Sequence, residues 1–510
     1  MPIAPDKPRT TCSRISAADA LRMYDELSIH QLGRLAFERL SQMRPEPYRT
    51  YVVDRNINYA NVCTAKCIFC NFKADPGDDH AYVLSFEQIG RKIEELIDIG
   101  GTQILMQGGL VPAPPGADRP PASGQTGSKP VPQKDTLPFE WYLDLLRFIR
   151  KNYPSIHIHA FSPPEIWAFH QVFRMPLRDT LLRLRDAGLA TIPGGGGEIL
   201  VDRVRRKIGQ GKTLSHEWLA VMREAHQLGM KTSCTMMFGH IETVEERIEH
   251  LRLLRDLQDE TGGFTAFIHW PFQPEGTPLG RWKALPENAA PNAGCRMQNA
   301  ERAGDPTETE ESAFCIHHST FVRRPRPDGQ HLLLADAHEY LVMLAIARLY
   351  LDNIPNIQSS WVTMGPKVGQ LALFYGANDM GSVMMEENIV SQAGATYRLS
   401  EDEIRRLIAD AGWRPQQRDQ YYRPIETPRR ESRAQACRAR DEQGREQNQS
   451  GAPGPCRENS QGAEHGQGRE HGGQSRDREG ALRTGDGAAR VDRSAAPAFV
   501  PLTIAAGDLP

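Results

Sequence analysis

The residues best suited to chemistry are three cysteines crowded into eight positions, Cys63, Cys67 and Cys70, in a C-x3-C-x2-C array. Three closely spaced thiolates suit a soft metal centre, either zinc or an iron–sulfur cluster. A structural zinc wants a fourth protein ligand, and none lies at a usual distance along the chain. A [4Fe-4S] cluster held by three cysteines leaves one iron open, and an open iron can bind a substrate or cofactor. Three cysteines buried independently would not select this spacing, so the cluster is the better reading. The other six of the nine cysteines, Cys12, Cys234, Cys295, Cys315, Cys437 and Cys456, are scattered. That usage is too sparse for a disulfide scaffold and points to a reducing cytoplasm. Cys295 and Cys315, with His317 and His318 nearby, match no standard zinc pattern.

The elements that must position these thiols follow from an alternation of short β-branched or apolar runs with stretches of helical period. Strands are predicted at 51–59, 102–106, 156–161, 190–193, 231–238, 264–270, 356–362 and 376–382. Amphipathic helices are predicted at 86–99, 141–149, 177–187, 218–228 and 244–257. The first carries Ile89, Ile93, Leu96 and Ile97 on one stripe, after Ser85 as N-cap with Gln88 three residues on. Eight strands with helical crossovers are what an α/β fold of the TIM-like (β/α)8 barrel type requires, although a doubly wound open sheet satisfies the same periodicity. In a barrel the cysteine array sits at the C-terminal mouth, where active sites are built. A rival metal site is the H-x-H of His157 and His159, which with Asp379 would imitate an amidohydrolase barrel. That arrangement normally closes the first strand, a position held here by the cysteines.

The barrel domain is expected over 49–422, behind an N-terminal helical extension at 1–48. Pro-rich insertions interrupt it at about 112–132 and 285–330, and a capped helix is expected at 400–411. After Tyr422 the only aromatic residue is Phe499, and 427–493 holds almost no large apolar side chain. Such a composition cannot bury enough surface to offset the entropy of ordering, so 423–510 reads as a low-complexity, disordered tail. Its mixed charge and lack of interleaved aromatics fit poorly with an RNA-binding arm. The whole chain carries 61 Lys and Arg against 64 Asp and Glu, a net charge of −3, which argues against a nucleic-acid partner. No leader pattern opens the chain and no apolar run approaches the ~20 residues of a membrane span, so no membrane partner is expected.

The cysteine array, with Phe69 just before its last thiol, resembles that of the radical S-adenosylmethionine (SAM) enzymes. The resemblance implies a radical SAM barrel in which SAM chelates the open iron and is split reductively to methionine and a deoxyadenosyl radical. It carries SAM contacts onto Phe69, onto Gln107, Gly108 and Gly109 after the second strand, and onto Ser162 after the third. Glu198, at the end of a four-glycine run, would meet the SAM ribose, and Met237 and Gly239 the adenine. Each has a plainer reading beside it: a simple turn, a solvated carboxylate, a core methionine.

Longer strings at 50–59, 81–85, 100–105, 157–165, 198–204, 258–267 and 376–379 resemble one branch of that family, the cyclic dehypoxanthinyl futalosine synthases of menaquinone biosynthesis. The branch implies a small-molecule substrate, dehypoxanthine futalosine, and an electron donor such as ferredoxin or flavodoxin. His159 or His240 would accept the proton released on cyclisation, and Asn378 would hydrogen-bond substrate or SAM. Two sister groups, the aminofutalosine synthases and the deazaflavin (FO)-forming enzymes, share the array and stand as alternatives.

Overall fold

The computed structural model describes residues 14–75, 77–110, 137–284, 326–386 and 391–425. β1 is one extended run broken only at Val53, made of Tyr48–Val52 and Asp54–Asn58. After it come β2 (Gln103–Gln107), β3 (His157–Ala160), β4 (Thr191–Ile192), β5 (Lys231–Phe238), β6 (Phe264–Pro271), β7 (Asn356–Gln358), β8 (Asp379–Ser382) and β9 (Arg414–Gln417). Neighbours from β2 to β8 pair in sequence order, and every pairing in this sheet is parallel.

Closure rests on the two halves of β1. Asp54–Asn58 pairs with β2, from Asp54 opposite Gln103 to Asn58 opposite Gln107. Tyr48–Val52 pairs instead with β8, Thr50 opposite Asp379 and Val52 opposite Ser382. One strand thereby joins the first and last members of the series, and the sheet is the expected (β/α)8 barrel rather than an open one. β9 adds to the free edge of Tyr48–Val52, Tyr48 opposite Arg414 through Tyr51 opposite Gln417.

The chain beyond β9 turns under the barrel. The Arg418 backbone N–H donates to the Tyr51 carbonyl at 2.9 Å. Its guanidinium donates to both oxygens of buried Asp379, at 2.6 and 3.0 Å, and lies 3.7 Å over the Tyr422 ring. Gln103 Nε2 donates to Gln420 Oε1 at 2.7 Å. These contacts make 418–422 the floor at the amino-terminal end of the barrel.

The helices follow their predicted stripes. Phe86–Asp98 starts from the Ser85 and Gln88 capping box and buries Ile89, Ile93 and Leu96. Ala17–Glu26 and Ile29–Met43, each opened by its own capping box, precede the barrel. One predicted strand needs correction, and one helix was not predicted. The strand predicted at 356–362 stops at Gln358, and Trp361–Met364 turns as a helix. Helix Ala337–Tyr350 lacks the amphipathic stripe that would reveal it, because Leu341 to Ala347 are all buried. The insertion at 112–132, most of 285–330, the tail beyond 425 and residues Cys12, Cys295, Cys315, His317, His318, Cys437 and Cys456 lie outside the described residues. Among the described residues, no helix is long and apolar enough to cross a membrane.

Candidate active site

The cysteine loop leaves the carboxyl end of β1 and is tied down on three sides. Cys63 N–H donates to Ala74 O at 3.0 Å, and Ile68 N–H to Ile208 O at 2.9 Å. Lys66 and Cys67 form a short antiparallel pair with Gln210 and Gly209. Cys63, Cys67 and Cys70 thus line one cavity of about 210 Å³ at the mouth. Burial pushes the Cys67 thiol up to about 12 and raises that of Cys63 as well. As free thiols they would stay protonated and inert, so a bound cationic centre is what would draw the protons off. Among the described residues no three His, Cys, Asp or Glu side chains converge on the position of one metal ion. Three thiols around one cavity suit a [4Fe-4S] cluster in which three of the four irons would each take one thiolate.

The opposite wall is the turn after β2. Gly109 N–H donates to Ala60 O at 2.9 Å, and a β-carbon on Gly109 would stand 1.9 Å from the Val62 carbonyl oxygen. One on Gly108 would stand 2.5 Å from the Tyr59 ring. Only glycine lets this turn close on the cysteine loop. Glu165 fixes it from below. One carboxylate oxygen accepts from Tyr59 OH at 2.7 Å and Gly108 N–H at 3.1 Å, the other from Ser162 N–H at 2.7 Å and Ser162 Oγ at 2.6 Å. Burial raises the Glu165 pKa despite these donors. Sequence reasoning passed over Glu165 as a site residue, although the Ser162-Pro163-Pro164-Glu165 capping box was its signal.

Glu198 lines this cavity too, held by Lys212 Nζ at 2.6 Å and Arg205 at 3.6 Å. Burial, the largest influence, acts to raise its pKa, but the two cations together hold it below the usual carboxylate value. Lys212 Nζ also sits 5.0 Å from the Phe69 ring centroid. Lys212 had no signal in the sequence beyond being a lysine on a loop.

A second cavity, of about 260 Å³, runs down the barrel interior and shares Gln107, Gly195, Gly196, Glu198, Met237 and Trp270 with the first. His159 lines it, its Nδ1 within 2.7 Å of Thr191 Oγ1. Burial first, then the neighbouring His157 and Arg418, depress the His159 pKa well below the ordinary value, so the ring is neutral. The same Thr191 hydroxyl meets His157 Nε2 at 2.7 Å, while Asp379 is taken by Arg418, so the H-x-H metal site is not assembled.

Three predicted residues fall outside both cavity walls. Asn378 Oδ1 accepts from Arg348 and the Ile357 N–H, at 2.9 and 3.0 Å, and its amide nitrogen donates to Asn356. His240 is fully buried against Glu242 at 2.8 Å. Gly239, at φ +83°, donates its N–H to Glu242 Oε1 at 2.6 Å and braces the end of β5.

A closed (β/α)8 barrel with three thiols at the mouth of its first strand defines a radical SAM enzyme, and the chain belongs to the radical SAM superfamily, which matches residues 57–254. A second match, the CofH/MqnC C-terminal region, covers residues 326–431. The chain is 39% identical over 414 residues to the cyclic dehypoxanthine futalosine synthase of Halalkalibacterium halodurans, spanning 81% of this chain and 92% of that protein. It is 35% identical over 413 residues to the enzyme of the same name from Streptomyces coelicolor, spanning 80% and 85%. Among solved structures, the FeFe-hydrogenase maturase HydG from Carboxydothermus hydrogenoformans shares the fold, with a TM-score of 0.52 at 13% identity over 80% of this chain and 78% of that one.

Proposed function

We propose that this enzyme cyclises dehypoxanthine futalosine to cyclic dehypoxanthine futalosine on the futalosine route to menaquinone, in the cytoplasm, with electrons from a small donor such as ferredoxin or flavodoxin. The observation that carries this reading is how the two joined cavities divide their walls. The described residues of the outer one all fall between 61 and 273, mostly within the superfamily match. The inner one adds Gln358 to Thr363, Ser382, Met384, Arg418, Gln420 and Tyr422 from the CofH/MqnC C-terminal region. The outer cavity thus fits the shared cofactors, and the inner one fits a substrate particular to the branch.

When bound, the [4Fe-4S] cluster and SAM would supply the carbon-centred radical chemistry that removal of the ribose C4′ hydrogen requires. Cys63, Cys67 and Cys70 would hold the cluster. Phe69, Gln107, Gly108, Gly109, Ser162, Glu198 and Met237, all on the outer cavity wall, would surround SAM. Leu105, Ile268 and Trp270 keep water from the reacting carbons. His159, neutral and donating from Nδ1 to Thr191, would take at Nε2 the proton that leaves the benzoate ring as aromaticity returns, and the electron released with it would go back to the bound cluster. His240 and Asn378, spent on structural bonds outside the cavity walls, have no such part.

The test is anaerobic incubation of reconstituted enzyme with dithionite, SAM and dehypoxanthine futalosine, followed by mass spectrometry. A product two hydrogens lighter than substrate supports the reading. An adduct formed only from an enolpyruvyl benzoate precursor assigns the enzyme to the aminofutalosine synthases instead.

A further inference from the structure

We propose that the floor of the inner cavity is the subsite for the sugar end of the substrate, with Gln103 Oε1 accepting a hydrogen bond from one of its ring hydroxyls. The inference rests on the cyclase reading. The interior of such a barrel is ordinarily filled by layers of branched apolar side chains. Here the lowest layer is polar: Asp54, Gln103 and His157 pair side by side across β1, β2 and β3. Beneath it lies the 418–422 turn, and between the two the cavity reaches Asp54, Gln103 and Gln420.

Gln103 is 2% exposed. Its amide nitrogen is used twice, donating to Asp54 Oδ2 at 3.1 Å and to Gln420 Oε1 at 2.7 Å. Those bonds fix the orientation of the amide, and its Oε1 is left with no partner among the described residues. A buried carbonyl oxygen is rarely left so in a folded protein, and what it lacks is a donor.

The two ends of the substrate differ in what they can give. The benzoate carboxylate brings only acceptors and would face Gln103 Oε1 acceptor to acceptor. The guanidinium at this depth, that of Arg418, is already committed to both oxygens of Asp379. The sugar ring brings hydroxyl donors. Higher up, Leu105, Met237, Ile268 and Trp270 offer an apolar wall to an aromatic ring. The sugar end therefore goes down and the aromatic acid end stays toward the mouth.

The experiment measures equilibrium affinity, on unreduced holoenzyme with SAM, for dehypoxanthine futalosine and for analogues lacking one ring hydroxyl each. Wild type is expected to bind one of these deoxy analogues about ten- to hundredfold more weakly than the substrate, the cost of an unpaired buried polar group. Gln103→Met should weaken substrate binding by a similar factor and no longer distinguish that analogue. On reduction without substrate it should cleave SAM as wild type does, because Gln103 is not on the outer cavity wall. Gln103→Asn, which keeps the amide and shortens its reach, should give the same loss of discrimination if the methionine variant does not fold. Wild-type affinity in both variants, or undiminished discrimination, overturns the subsite alone. A wild-type enzyme that neither binds nor cyclises dehypoxanthine futalosine overturns the cyclase reading, and this assignment with it.

Discussion

Replacing Gly109 by alanine probes the tightest point of the cluster cradle. The new methyl would stand 1.9 Å from the Val62 carbonyl oxygen, 2.6 Å from its carbon and 2.9 Å from Cys63 Cβ. Non-bonded heavy atoms settle about 3.5–4 Å apart, so the two backbones must separate by more than about 1 Å. Neither side has slack. Gly109 N–H is bonded to Ala60 O, Thr64 N–H to Leu110 O at 3.0 Å, and Leu110 N–H to Cys63 Sγ at 3.3 Å. The displacement falls on Cys63, one of the three thiols proposed to hold the cluster. Overpacking of this kind costs about 1–3 kcal/mol, which a domain of this size survives. A ~1 Å misplacement of reacting groups costs on the order of a hundredfold in rate. G109A is therefore expected to fold, to bind less iron on anaerobic reconstitution, and to form deoxyadenosine about a hundredfold more slowly. Gly209→Ala is the control, because Gly209 pairs with Cys67 on the other side of the loop yet its β-carbon would meet nothing nearer than Arg205 O at 3.5 Å. It should keep wild-type iron and rate. If the two variants behave alike, the close approach of Gly109 is not what positions the cluster.

Asp379→Asn leaves the buried Arg418 guanidinium without its counter-charge and should lower unfolding free energy by about 3–5 kcal/mol in denaturant titration; a change below about 1 kcal/mol would show the pair to be dispensable. Burial holds His226 down to about 4, against about 6.5 in an unfolded chain. The unfolded state thus gains a proton below pH 6.5 that the folded state refuses until about pH 4, and stability falls as pH drops through that window, by on the order of 3 kcal/mol from this group. His226→Gln should flatten the acid limb of the denaturation-midpoint profile by about one proton, and an unchanged slope would contradict it. Because Ile425 N–H still bonds Gln417 O at 3.0 Å, a chain ended after residue 425 should keep wild-type melting and turnover, whereas one ended after Trp413 should lose both; equal behaviour would rule out a structural role for β9 and the floor.

The barrel was legible because its units carry local signals. The capping box at Ser85 opens a helix whose apolar stripe has the helical period, and short β-branched runs separate such helices. The thiols were legible because their spacing has no common structural cause. Signals weakened where burial is complete. Helix Ala337–Tyr350 is buried without a break from Tyr340 to Arg348, so neither period identifies it. The polar residues that build the inner cavity were harder still. Gln103, Gln420 and Arg418 meet only through strand register and chain reversal across more than 300 positions, and no local pattern encodes that meeting. His240 and Asn378 lie off both cavity walls for the same reason: a strand end brings a side chain near the mouth, but only neighbouring strands decide whether it faces the cavity or a partner.

The double duty of β1 explains how the barrel comes to have a polar floor. β2 reaches only as far down as Asp54, so the edge of Tyr48–Val52 below it is left for another strand. β9 takes that edge in parallel register, ending at Gln417 opposite Tyr51. The next residue, Arg418, is thereby delivered under the interior, where Asp379 of β8 anchors it. The segment that completes the sheet is thus also the one that lays Gln420 and Tyr422 beneath the inner cavity. Closing the barrel and shaping the substrate end of its interior are one structural event. It follows that substitutions which loosen β9 should alter substrate affinity while leaving cluster loading intact, since no described residue beyond Gln273 lines the outer cavity.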